Sequence, residues 1–209
     1  MLKFTYFKNS LWHPEIKNAL HEATKGYAFW GLLGLGFGWS YCYGQAVGHG
    51  VSLQMFLNWV FFMLLATLTL TDLKKFLIPD VLLIPLFALG IIFTNFLTAD
   101  LLSTFILGAG FALVRLLGSK LAGQEAMGWG DVKLVAALGP WVGLIGIVPF
   151  LLVVSLTALL TVIIRFCLKK RGPMPFGPFL AFGGWVAYAY GPMIAAYLIM
   201  FRQYLVEAL

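Results

Sequence analysis

Long apolar runs separated by short polar connections dominate this chain. A helix that crosses a bilayer needs about 20 mostly apolar residues, because ~30 Å is covered at 1.5 Å per residue. Six runs reach or approach this length: Tyr27–Val47, Leu53–Thr71, Val81–Leu97, Leu101–Leu117, Val142–Leu168 and Pro178–Phe201. A shorter piece, Val132–Leu138, precedes Gly139-Pro140. The pattern predicts an all-α, polytopic integral membrane bundle of seven helices if the short piece crosses, or six if it is re-entrant.

The composition agrees with a membrane protein and argues against a soluble one. Apolar residues make up 61% of the chain and charged residues 11%, against about 45–50% and about 25% in soluble domains. The net charge of +6 comes from basic residues at the ends of apolar runs, where they mark topology and contact anionic lipid. Lipid is therefore the expected partner, and nucleic acid is not.

The distribution of Lys and Arg predicts a cytoplasmic N-terminus. If the short piece crosses the membrane, Arg202 is the only Lys or Arg residue on the side away from the cytoplasm. This excess of basic residues on the cytoplasmic side is what the positive-inside rule describes. If it is re-entrant, the C-terminus changes sides. Residues 1–25 mix lysines with apolar residues and read as a cytoplasmic or interfacial segment without a cleavable signal. Residues 26–209 read as one transmembrane domain.

Two acids lie where catalytic groups would be placed. Asp72 follows an apolar run and Asp131 leads into one, both on the predicted cytoplasmic side. Two carboxyl groups brought close in a poorly solvated cleft share one proton, and such a pair supplies a general base and a general acid. Asp100 falls in a turn on the opposite side and is expected to be solvated. The alternative for Asp72 and Asp131 is ordinary pairing with neighbouring lysines.

Several short segments narrow the class of protein further. They are Thr71-Asp72-Leu73-Lys74-Lys75-Phe76-Leu77-Ile78-Pro79-Asp80, Met127-Gly128-Trp129-Gly130-Asp131, Leu138-Gly139-Pro140 and Pro175-Phe176-Gly177-Pro178. Their order and spacing over roughly residues 70–190 resemble the type IV prepilin peptidases, a bacterial branch of the G-x-G-D membrane aspartyl proteases.

The resemblance implies Asp72 and Asp131 as the catalytic pair, with Gly128 and Gly130 shaping the second site. Further residues match the family segments or lie beside them and are expected to be structural or substrate-facing: Asp80, Lys133, Gly177 and Pro178. The resemblance also implies a function: cleavage of basic leader peptides from prepilins or pseudopilins at the bacterial inner membrane.

The two cysteines, Cys42 and Cys167, are far apart. The paired Cys-x-x-Cys motifs that bind zinc in many members of the family are missing. No metal or cofactor is therefore expected. The resemblance supports cleavage and leaves methylation of the new terminus open.

Two other classes of function fit part of the pattern. A transporter can use intramembrane acids for protons or cations, but it is expected to carry them near the midplane, in repeated halves. Neither feature is present here. A non-catalytic assembly protein would keep the fold without needing both aspartates. A milder alternative keeps the protease and changes the substrate to other membrane helices.

Overall fold

The regular structure of the described residues is entirely helical. The computed structural model describes residues 14–46, 53–93, 97–123, 125, 127–169, 172 and 174–207. The helices of these segments are α1 (Pro14–Thr24), α2 (Tyr27–Ala46), α3 (Leu53–Lys75), α4 (Asp80–Phe93), α5 (Leu97–Ala122), α6 (Trp129–Cys167) and α7 (Gly177–Glu207). The chain divides into two compact units, Met1–Leu86 and Phe87–Leu209.

Four of these helices are long and apolar enough to cross a membrane: Leu53–Lys75, Leu97–Leu121, Trp129–Cys167 and Gly177–Tyr204. Large apolar side chains point outward from them, such as Phe105 and Leu113 on α5, as expected for lipid contact. The predicted class, a helical membrane bundle, is confirmed. Helix α2 forms where the first span was predicted but is not among the four, since glycines, tyrosines and other polar residues interrupt its apolar sequence.

In the first unit, the short helix α1 packs on the end of α3. Ala19 and Ala23 of α1 are buried, and Ala23 joins Phe29 and Leu70 in one apolar cluster. Helices α2 and α3 are also joined by the buried hydroxyl of Ser40, which donates to the Met55 carbonyl at 2.5 Å.

In the second unit, the predicted short piece and the long run that follows it form one kinked helix, α6. Its 39 residues would extend about 58 Å if straight, far more than the ~30 Å hydrocarbon core. The kink lies at Gly143, whose φ of 61° and ψ of 175° are not helical. A side chain is strained in that conformation, and Pro140 and Pro149 each remove a helical hydrogen bond. The first arm, before Gly143, covers only about 20 Å.

Small residues allow the helices of the second unit to approach closely. A Cβ built on Gly139 of α6 would meet the Thr104 backbone nitrogen of α5 at 2.6 Å. The buried Ser103 hydroxyl donates to the Gly139 carbonyl at 2.7 Å. On the other side of α6, a Cβ on Gly184 of α7 would meet Leu138 at 2.8 Å. These are the small-residue contacts typical of membrane helix pairs.

Two expectations from the sequence were wrong in detail. Asp72 was expected to follow its helix, but α3 continues through Asp72 to Lys75. Asp100 was expected to be solvated, but it is only 5% exposed, in the first turn of α5. Residues 1–13, 47–52, 94–96, 124, 126, 170, 171, 173, 208 and 209 lie outside the described residues, and so do the expectations that depend on them. The single transmembrane domain over residues 26–209 stays a prediction.

Candidate active site

Asp72 lies in the last turn of α3, within the first unit. Asp72 is 5% exposed, and Thr71 beside it is fully buried. The helix ends where the Phe76 N–H donates to the Asp72 carbonyl oxygen at 2.9 Å. Phe76 has a φ of 53°, a left-handed conformation uncommon for residues other than glycine. The next helix then begins after Pro79, as the sequence predicts.

Helix α1 braces the end of α3 that carries Asp72. The Lys74 ammonium donates to the Glu22 carbonyl oxygen at 2.6 Å, and the Lys75 ammonium lies 3.6 Å from the Glu22 carboxylate. Both lysines also place positive charge at a helix C-terminus, where it is favourable. The Lys75 pair is partly exposed, so its contribution to stability is at most about 1 kcal/mol.

Asp131 lies at the opposite kind of helix end, in the first turn of α6 and within the second unit. It is 8% exposed. Gly128 occupies the N-cap position and no side chain caps the helix there, so the first turn is held by other contacts. A carboxylate in a helix's first turn is stabilised by the N–H groups there by about 0.3–1 kcal/mol.

Gly128 matters for its missing side chain rather than for its backbone. Its φ of −70° and ψ of 150° suit any residue, so the backbone conformation does not require glycine here. A Cβ at this position would lie 3.4 Å from Oδ2 of Asp131. The glycine therefore leaves one side of the carboxylate open.

The remaining predicted site residues lie in both units. Gly130 is half-buried between Trp129 and Asp131, and Lys133 is exposed on the first arm of α6. Asp80 is half-buried in the first turn of α4. Gly177 is buried and Pro178 half-buried at the start of α7, where proline is well tolerated. The roles expected for these residues stay predictions.

Arg115 contacts the segment that leads to Asp131, although the sequence alone indicated only a topology signal for it. It is on α5, and its side chain is just 8% exposed. It donates to the Met127 carbonyl and lies against the ring of Trp129, next to Gly130 and Asp131. The available signal was a charged residue inside a predicted span, a position that is often functional.

No three His, Cys, Asp or Glu side chains are grouped as a metal site would require, as far as the described residues extend. The predicted independence from zinc stays a prediction. Asp72 belongs to the first unit and Asp131 to the second.

A known protein family matches the part of the chain that contains both acids. The sequence model of the type IV leader peptidase family matches residues 59–163. A prepilin leader peptidase/N-methyltransferase of Xanthomonas campestris pv. campestris is 41% identical over 57% of this chain and 45% of its own length. Proteins of the same name from Aeromonas hydrophila and Pseudomonas aeruginosa are 36% and 37% identical, over 74% and 67% of this chain and 54% and 51% of theirs.

The chain therefore belongs to the type IV leader peptidase family, whose members are proteases. It spans about half the length of the curated relatives it matches. No solved structure gives a significant match.

Proposed function

We propose that this chain is an aspartyl endopeptidase of the bacterial inner membrane that removes basic leader peptides from type IV prepilins or pseudopilins. The observation that carries the proposal is a buried carboxyl group at a helix end in each unit, Asp72 and Asp131. Both acids lie inside the region matched by the peptidase family. The names of the relatives support prepilins as the substrate class.

The proposed reaction needs one ionised and one protonated carboxyl group at the same peptide bond. The ionised group takes a proton from water as the water oxygen adds to the carbonyl carbon. The protonated group gives its proton to the amide nitrogen as the C–N bond breaks. One water is consumed, and the carboxyl group that was ionised at the start now holds the proton. The pair is ready for a new cycle after proton exchange.

The substrate would lie with its apolar helix in the bilayer and its leader in the cytoplasm. Packing between the substrate helix and the helices of the enzyme supplies much of the binding, as in other membrane helix pairs. The open side of Asp131 beside Gly128 gives a small residue before the scissile bond room to approach the carboxylate.

The direct test is incubation of the purified chain, in detergent or nanodiscs, with a purified prepilin, followed by mass spectrometry of the products. We expect a single cut that releases the leader, without added zinc and in the presence of serine-directed reagents. A failure to cut any prepilin or pseudopilin overturns the substrate assignment. Cleavage that requires zinc, or that serine reagents block, overturns the aspartyl mechanism.

Gly128→Ala is expected to lower the turnover number while leaving the fold intact. The backbone angles accept alanine, but the methyl group lies 3.4 Å from the Asp131 carboxylate oxygen, where water and substrate must approach. We expect about a tenfold loss, since small displacements of reacting groups have effects of this order.

The measurement is kcat for leader removal together with the thermal midpoint of the purified variant. Gly34→Ala is the control, because a Cβ at Gly34 meets nothing within 4 Å. An unchanged kcat in Gly128→Ala, or a loss explained by a lower midpoint, contradicts the assigned role.

A further inference from the structure

A buried arginine reaches from α5 to the segment that begins α6. The guanidinium of Arg115 is almost completely removed from water, at 8% side-chain exposure. A cation in such a place is costly unless its donors and its charge are satisfied. The groups that Arg115 contacts therefore identify what the residue is for.

Among the described residues, the hydrogen bonds and the ring contact of Arg115 all lie in the segment just before Asp131. Nη1 donates to the Met127 carbonyl oxygen at 3.0 Å, and Nη2 donates to the Glu125 carboxylate at 3.2 Å. Its Cζ lies 4.5 Å from the centre of the Trp129 ring. The arginine thus holds the chain on both sides of the N-cap residue, Gly128.

The ion pair with Glu125 is the least important of these contacts. The Glu125 side chain is 80% exposed, so solvent screens the pair and its contribution is small. The Met127 carbonyl and the Trp129 ring are different, because they fix the backbone immediately before Gly130 and Asp131. A planar guanidinium can donate to a carbonyl and stack on an indole at once, which an ammonium does not do equally well.

The start of α6 has no N-cap side chain to fix its first turn. Most helices are fixed at their first turn by a Ser, Thr, Asp or Asn side chain at the N-cap, whereas Gly128 supplies none. Arg115 only donates and so does not cap the N–H groups of this turn; we propose instead that it fixes the chain on either side of Gly128 and is a positioning residue for Asp131, so that the carboxylate keeps its place. This inference rests on the proposed function for its catalytic consequence.

Arg115→Lys keeps the charge and removes the planar fork. We expect kcat for leader removal to fall about 10- to 100-fold, the scale of a misplacement near 1 Å, with KM changed less than about threefold because the substrate helix still packs in lipid. Trp129→Ala should lower kcat similarly. The double variant should be hardly worse than either single one, since both remove the same constraint.

Arg165→Lys is the matched control. Arg165 is another arginine of the second unit, and it donates to the Gly172 carbonyl oxygen at 2.8 Å in an exposed position. We expect its kcat to stay within about twofold of wild type, as for most surface substitutions. A kcat within twofold of wild type for Arg115→Lys overturns the inference, and so does an equal loss in Arg165→Lys.

Hydrogen–deuterium exchange of the intact protein gives a readout that does not depend on activity. In Arg115→Lys the amides of residues 132–135, which donate to the carbonyls of residues 128–131 at the start of α6, should exchange about tenfold faster, as expected when a charge-assisted hydrogen bond that holds this turn is lost, while those around residue 172 are unchanged. Arg165→Lys should show the reverse pattern. If the wild-type chain cuts no prepilin but exchange follows this pattern, the proposed function fails and the positioning of the turn stands. Unchanged exchange at 132–135 overturns the inference.

Discussion

Asp72→Asn and Asp131→Asn are each expected to lower the rate of leader removal by at least about 10³-fold, within the range assigned to general acid and base groups. Asparagine has nearly the shape of aspartate but neither accepts nor gives a proton at neutral pH. The double variant should be little slower than either single one, because groups that act as a unit lose their effect together. The measurement is the initial rate of prepilin cleavage at saturating substrate.

Exposed acids of the same two units provide the controls. Glu22→Gln and Glu125→Gln remove carboxylates with side-chain exposures of 59% and 80%, and we expect rates within about twofold of wild type for such surface changes. Each variant must keep its level in the membrane and its thermal midpoint. Cleavage retained in either aspartate variant removes that residue from the mechanism, and equal losses in the controls would show a general charge effect.

Gly139→Ala is expected to have the largest effect on stability, about 3 kcal/mol, at the upper end of the usual range for overpacking. The new methyl group would overlap the backbone of Thr104, including its nitrogen at 2.6 Å. Backbone cannot turn aside as a side chain does, so α5 and α6 must separate. The hydrogen bond from Ser103 to the Gly139 carbonyl oxygen would be weakened by the same movement.

The comparison for this prediction is Gly110→Ala, on α5. A Cβ at Gly110 meets nothing within 4 Å, and alanine is favoured over glycine within a helix by about 1 kcal/mol. Denaturation of both purified variants in the same detergent measures the difference. A midpoint for Gly139→Ala at or above that of Gly110→Ala would contradict the close packing of α5 and α6.

The predicted helical class and the positions of most helices agree with the structure, but helix ends and interruptions agree less well. Helix α3 continues past Asp72 because the lysines after it are as compatible with a helical last turn as with a loop. The short piece before Gly139 joins the next run because Pro140 and Gly143 bend α6 without ending it. Hydropathy detects the apolar runs on both sides, but it does not show whether the chain between them breaks or bends.

The sequence alone determined the class of protein and its apolar helices, since an apolar run about 20 residues long needs no partner to be recognised. Its assignment of Asp72 and Asp131 to the chemistry stays a prediction. Only the tertiary structure decided which polar residues are buried and which glycines face another backbone. Asp100 and Arg115 were read as a solvated turn and a topology signal, yet both are buried. The physical reason is that burial and close approach depend on which faces of two helices meet, and that pairing joins residues far apart in the chain.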